Sequence, residues 1–251
     1  MRQKRNQALL PLLLTIMLLA RESIVRAQFN DSITRYIGYT GTGVINKTNT
    51  GDSYVLSNNL RFNVRRKDVS LNAAAGWIYG EQNDRKTNND FTSSLDFNLF
   101  KTFEHFYYWG LLTYEKSFSL KINDRIQAGL GVAYNIVEKK QLFINVSEGV
   151  LLEKSDVFIN DTTREKNNIL RNSFRCRYRW VIKDFITLDG TQLIQNSFSD
   201  GNDYVFKSVN SLNFRLYKWL NLTTAFTYNK VGKTNRQNLL LTFGLTAEKY
   251  F

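Results

Sequence analysis

Beyond residue 27 the chain consists of successive stretches in which apolar and polar side chains alternate, and no apolar run there is long enough for a spanning helix. Alternation with period 2 sends neighbouring side chains to opposite faces of a strand, so each stretch has an oily face and a polar face. Twelve such segments fall near 34–46, 53–65, 69–81, 90–101, 105–117, 124–137, 141–154, 168–181, 185–198, 203–217, 219–231 and 237–251. In the second, Tyr54, Leu56, Leu60, Phe62 and Val64 oppose Ser57, Asn59, Arg61, Asn63 and Arg65. In the sixth, Ile126, Ala128, Leu130, Val132 and Tyr134 oppose Arg125, Gln127, Gly129, Gly131 and Asn135. The fifth, seventh and ninth alternate poorly. Segments of this length exceed the ordinary strand of about 5–6 residues and suit the ~9–11 tilted residues that cross a bilayer.

The one proline, Pro11, precedes all of these segments, and a proline-free region suits strands paired along both edges. Lipid offers no water to unpaired backbone groups, so strands can span it only as a closed ring. The expected fold is therefore all-β: a membrane-spanning antiparallel up-and-down β-barrel of about 12 strands, with roughly 10–14 compatible with the pattern.

Connectors give a second line of argument. Arg66–Asp68, Glu138–Lys140, Ile182–Asp184, Lys218 and the link around Thr102–Glu104 are short. The intervening set, including Gln82–Asn89 and Ser155–Asn167, is expected to form longer and more polar loops. With both termini in the periplasm, a barrel is expected to alternate tight periplasmic turns with longer external loops in this way. Tyr107, Tyr108, Trp109, Trp180 and Trp219 lie beside short turns, where an aromatic girdle is expected at the membrane–water boundary. The terminal Phe251 is in phase with Leu239, Leu241, Phe243 and Leu245, and reads as the insertion signal recognised by barrel-insertion machinery.

Residues 1–27 read as a cleaved signal peptide. Arg2, Lys4 and Arg5 precede the apolar run Ala8 to Ala20, and Val25-Arg26-Ala27 supplies a cleavage site before Gln28. An uncleaved anchor and cleavage after Ala20 are the alternatives. Residues 28–251 then form a single barrel domain located in the outer membrane of a Gram-negative cell. The formal net charge is +12, and the segment after residue 27 remains basic. Anionic partners fit that balance, lipopolysaccharide and small anionic solutes among them. With Cys176 as the sole cysteine, no intramolecular disulfide can form.

Several short stretches resemble one family. They are Gly38-Tyr39-Thr40-Gly41, the hairpin Asn49-Thr50-Gly51-Asp52-Ser53, the central Gly129-Leu130-Gly131-Val132-Ala133-Tyr134, and the strand from Gly244-Leu245 to Phe251. Together they are similar to DUF481 proteins, described as salt-induced outer-membrane proteins. The resemblance implies an outer-membrane barrel with no established activity, and it carries over no catalytic residue.

The chemistry that stands out is a basic stripe. If Leu170, Phe174, Cys176, Tyr178 and Trp180 face lipid, then Arg171, Arg175, Arg177 and Arg179 point inward. Arg61, Arg65, Arg125, Lys207 and Arg215 fall on the same side of their own strands. Basic residues facing lipid at the midplane would cost about 2–4 kcal/mol each, so the lumen is where they belong. Two readings stay open. The stripe lines a narrow anion-preferring pore, or it pairs with inward acids such as Asp96, Glu148 and Asp189 and closes the barrel for an envelope-integrity or surface-interaction role. His105 is the sole histidine and has no serine or carboxylate at a telling spacing, so no enzyme is expected. No cofactor or metal set is evident, and no basic–aromatic interleaving points to nucleic acid.

Overall fold

The computed structural model describes residues 34–100, 105–160 and 163–251. The segment 1–27, expected to be a signal peptide, and the link Thr102–Glu104 lie outside the described residues. Twelve strands run β1 (Arg35–Lys47), β2 (Asp52–Arg66), β3 (Val69–Gln82), β4 (Arg85–Leu99), β5 (Phe106–Ser117) and β6 (Ile122–Glu138), followed by β7 (Leu142–Phe158), β8 (Arg164–Ile182), β9 (Ile186–Ser197), β10 (Tyr204–Tyr217), β11 (Leu220–Val231) and β12 (Arg236–Tyr250). Each is antiparallel to its sequence neighbours, and β1 pairs with β12 to close the barrel. The expected all-β barrel is therefore the observed fold.

Closure is local and well bonded. Arg35 donates its N–H to the Phe251 carbonyl (2.8 Å), and the Phe251 N–H returns to the Arg35 carbonyl (3.0 Å). Further along the seam, Thr40 meets Thr246 at 2.9 Å and Thr242 donates to Thr42 at 2.9 Å. A Cβ at Gly244 would lie 2.0 Å from the Gly41 carbonyl oxygen, so the seam needs glycine there.

The outer surface is the oily face of the alternation. Ile37, Leu56, Leu60, Phe62, Leu95, Leu130, Leu241 and Phe243 are all exposed. The inner surface is polar, the reverse of a water-soluble β-domain. The end that carries Arg35 and Phe251 is the terminal rim, and the other end the distal rim.

Two features of the connectors differ from the sequence expectation. Gln82–Asn89 is not a loop: Gln82 pairs with Arg85 across the two-residue turn Asn83-Asp84, both at positive φ (49° and 60°). Asparagine and aspartate tolerate that conformation, which matches the twist of a tight hairpin. Likewise Ser155–Asn167 shrinks to the connector 159–163, because β7 and β8 continue as a paired ribbon. Alternation fades where both faces meet water, but backbone pairing does not depend on it.

The aromatic girdle is also only partly as expected. Tyr108, Trp180 and Trp219 face outward near the terminal rim, and Trp219 stacks on Tyr217 with centroids 6.4 Å apart. Tyr107 and Trp109 instead point inward and are buried, since they sit on the opposite parity of β5 from Tyr108. The Trp109 indole lies over Gly131 and Gly149, which face each other across β6 and β7, and its N–H bonds the Val132 carbonyl at 3.1 Å. A Cβ at Gly149 would come within 2.4 Å of that ring. Overpacking of this kind costs about 1–3 kcal/mol. Gly149→Val is expected to lower the urea midpoint of the refolded protein by a corresponding amount. Gly110→Ala, where the nearest atom outside the adjoining residues is 3.9 Å away, leaves it unchanged. Equal midpoints for the two variants would refute the glycine-bed account.

Candidate functional site

Charged side chains fill the lumen in two tiers. The distal tier forms where β5 through β10 approach the distal rim. Glu115 accepts from Arg125 Nε at 3.1 Å and from Lys207 Nζ at 2.8 Å. Glu153 accepts from Arg171 Nε at 2.8 Å and from Gln127 Nε2 at 2.7 Å. Arg171 also reaches Asp203, with Nη2 2.7 Å from the carboxylate and Nη1 3.0 Å from the carbonyl. Gln127 donates to Gln195 Oε1 at 2.9 Å, which ties β6 to β9. Three acids thus meet three cations, and all six side chains are largely or wholly buried.

Several of these bonds cross the lumen. Lys207 on β10 meets Glu115 on β5, and in the tier below Arg175 on β8 meets Asp96 on β4 at 3.0 Å. Arg175 also donates to Ser147 at 3.2 Å and stands over the Trp109 ring at 5.5 Å. Asn98 bonds both Asp96 (2.8 Å) and Ser70 (3.1 Å), so this acid is held from two sides.

The tier nearer the terminal rim is not balanced. Arg179 pairs with Asp189 at 3.0 Å. Among the described residues Arg177 forms no ion pair with a carboxylate, and Arg61 bonds the Asn59 amide oxygen at 3.1 Å. Both are exposed although they point inward, so lumen water reaches them. Their positions on β2 and β8, six strands apart in a ring of twelve, set them on opposite walls. Arg65 stacks on Phe100 at 4.7 Å, and Arg215 is half-buried near the terminal rim.

The structure therefore places Arg61, Arg125, Arg171, Arg175, Arg177, Arg179, Lys207 and Arg215 on the lumen side of their strands. It brings Arg125, Arg171 and Lys207 into one network and leaves Arg61 and Arg177 apart from it. One expected partner is absent from the lumen. Glu148 faces outward, because it pairs across β6 and β8 with the outward Val132 and Phe174. The partners that the sequence pattern missed are Glu115, Glu153 and Asp203. The first two lie on the weakly alternating fifth and seventh segments, and Asp203 sits just before β10, so parity alone could not find them.

On the distal rim, Arg164 pairs with Asp156, and Lys233 pairs with Glu165 at 2.8 Å. Lys86 and Lys121 both lie over the Phe118 ring. His105, at positive φ in the β4–β5 connector, sits edge-on to Tyr134 at 6.1 Å.

Removing one partner from a buried ion pair leaves an uncompensated charge, at about 3–5 kcal/mol. Glu115→Gln strands Arg125 and Lys207 together and is expected to destabilise the barrel by that order. Glu115→Gln combined with Lys207→Met recovers much of the loss. Denaturant unfolding of the single and double variants checks this, and additive losses would mean that the pair is not coupled.

Comparison with solved structures bears out the fold. The NanC porin superposes with a TM-score of 0.52 at 8% identity, covering 86% of this chain and 99% of that one. The COG4313 outer membrane channel from Pseudomonas putida F1 superposes with a TM-score of 0.50 at 10% identity, covering 92% and 99%. At such identities the likeness is one of architecture. No curated protein matches the chain in sequence. The family model for DUF481, described as a protein of unknown function, matches residues 41–248, so this twelve-stranded barrel belongs to the DUF481 family.

Proposed function

We propose that this protein is an outer-membrane barrel that passes small anionic solutes through a narrow basic lumen. The observation that carries the reading is the facing pair Arg61 and Arg177, open to lumen water and, among the described residues, in no ion pair with a carboxylate. An uncompensated cation pair inside low-dielectric walls attracts anions far more strongly than the same charges in bulk water. The balanced distal tier would then act as a neutral constriction that limits solute size.

Location belongs to the same proposal. Export through a cleaved signal peptide at residues 1–27, insertion directed by Phe251, and contact of the basic distal residues with lipopolysaccharide phosphates all suit the outward apolar belt and its aromatic edge. The similar barrels carry the names of a porin and an outer membrane channel. A closed, non-conducting barrel with an envelope-integrity or surface-interaction role is the second reading. The cross-lumen bonds of Lys207 to Glu115 and Gln127 to Gln195 favour it, since they join walls that an open pore keeps apart. Neither reading assigns a catalytic residue.

Planar-bilayer recording on refolded protein separates the two. Small steps with an anion preference are expected, and Arg61→Ser with Arg177→Ser should bring the anion-to-cation permeability ratio close to unity. Steps whose selectivity ignores both substitutions would remove the arginine pair from the account, and no steps at all would leave the closed barrel. For location, deleting Phe251 should lower the outer-membrane yield of the expressed protein several-fold, whereas an unchanged yield would mean that the terminal aromatic is not read.

A further inference from the structure

The outward face of β7–β9 carries the polar side chains Glu148 and Gln192 in a belt that is otherwise largely oily. Glu148 is exposed there, among Leu130, Val132, Val150 and Phe174, which are themselves exposed. Among the described residues nothing hydrogen-bonds to it or pairs with it. An ionisable group at membrane depth without a partner marks a site whose partner comes from elsewhere.

Two strands away lies a matching donor. Gln192 faces outward opposite Cys176, and its amide donates to Asn210 Oδ1 at 2.9 Å. The same oxygen accepts from the Tyr178 hydroxyl at 2.6 Å, which fixes the amide's orientation. A primary amide has two N–H donors, so one of them remains for a further acceptor. The registers set Glu148 beside Phe174, and Phe174 beside Ile194, two residues above Gln192. In a barrel tilted about 40°, each step to the next strand raises a position by about 3 Å, and each residue down the strand lowers it by about 2.5 Å. Glu148 and Gln192 therefore stand within about 2 Å of one height, on either side of β8.

We infer that this face is where a second copy of the chain docks, around a two-fold axis running along the outward surface of β8. A two-fold operation exchanges the two flanks of β8, so Glu148 of each copy meets the amide of Gln192 of the other. One donor and one acceptor at matched height make the patch self-complementary, as an isologous interface requires. A hydrogen bond across the interface removes an unsatisfied polar group from hydrocarbon in both copies at once. Cys176, on the outward face of β8 beside the axis, would face its equivalent in the other copy. This pairing is independent of whether the lumen conducts.

The test uses the full-length barrel refolded in detergent and in vesicles. Sedimentation equilibrium is expected to show a monomer–dimer equilibrium, and Glu148→Leu and Gln192→Leu should each raise the dissociation constant about tenfold or more. Oxidation of the wild-type protein in vesicles should give a Cys176-linked dimer, lost in Cys176→Ser and much reduced in Glu148→Leu. Heat-modifiable gel mobility confirms that each variant still forms the barrel, and a leucine on a lipid-facing strand does not oppose folding. A wild-type protein that stays monomeric at every protein-to-detergent ratio would overturn the proposal. So would a dimer indifferent to both substitutions, or crosslinking of Cys176 in cell membranes to a different protein only.

Discussion

Everything in this molecule depends on backbone hydrogen bonds that close into a ring. In hydrocarbon, an open edge would leave a row of N–H and C=O groups with no partner, each costing several kcal/mol. The main-chain clasp between Arg35 and Phe251 and the threonine contacts above it remove that edge. The seam tolerates no bulk at Gly244, where β12 passes close to β1. Ring closure also sets the lumen width, and that width decides which interior side chains can meet.

Twelve strands leave a bore that long side chains can bridge. This is why Lys207 reaches Glu115 and Arg175 reaches Asp96 from strands far apart in sequence. The distal tier spends its charge on itself, acid against base, and behaves as packed polar core. The tier nearer the termini keeps unmatched positive charge in contact with water. A division of this kind, neutral filter above and basic chamber below, is what gives the proposed anion preference a physical origin.

The outer surface obeys the opposite rule. It is oily wherever lipid is the solvent, so a polar group there carries more information than one in the lumen. Asn58 is accounted for within its own surface, because the Tyr39 hydroxyl donates to it at 2.6 Å. Glu148 is not, and its position is the reason to look for a second chain.

The amino-acid sequence by itself determined the class of fold, the strand count, and which face of the clearly alternating strands meets lipid. Those properties follow from period-2 patterning, which is local and survives without knowledge of neighbours. The arginine stripe of β8 was legible for the same reason. Other features depended on tertiary structure. Tyr107 and Trp109 sit on a strand whose pattern is blurred by inward aromatics, and only the register with β4 and β6 turns them into the lumen. Glu148 lies on a similarly blurred strand, and pairing with Val132 and Phe174 turns it outward. Partner choice among the lumen charges was out of reach as well, because Glu115 and Lys207 are 92 residues apart and meet only when the ring closes at this diameter. Patterning fixes the direction of a side chain, whereas closure alone decides what stands across from it.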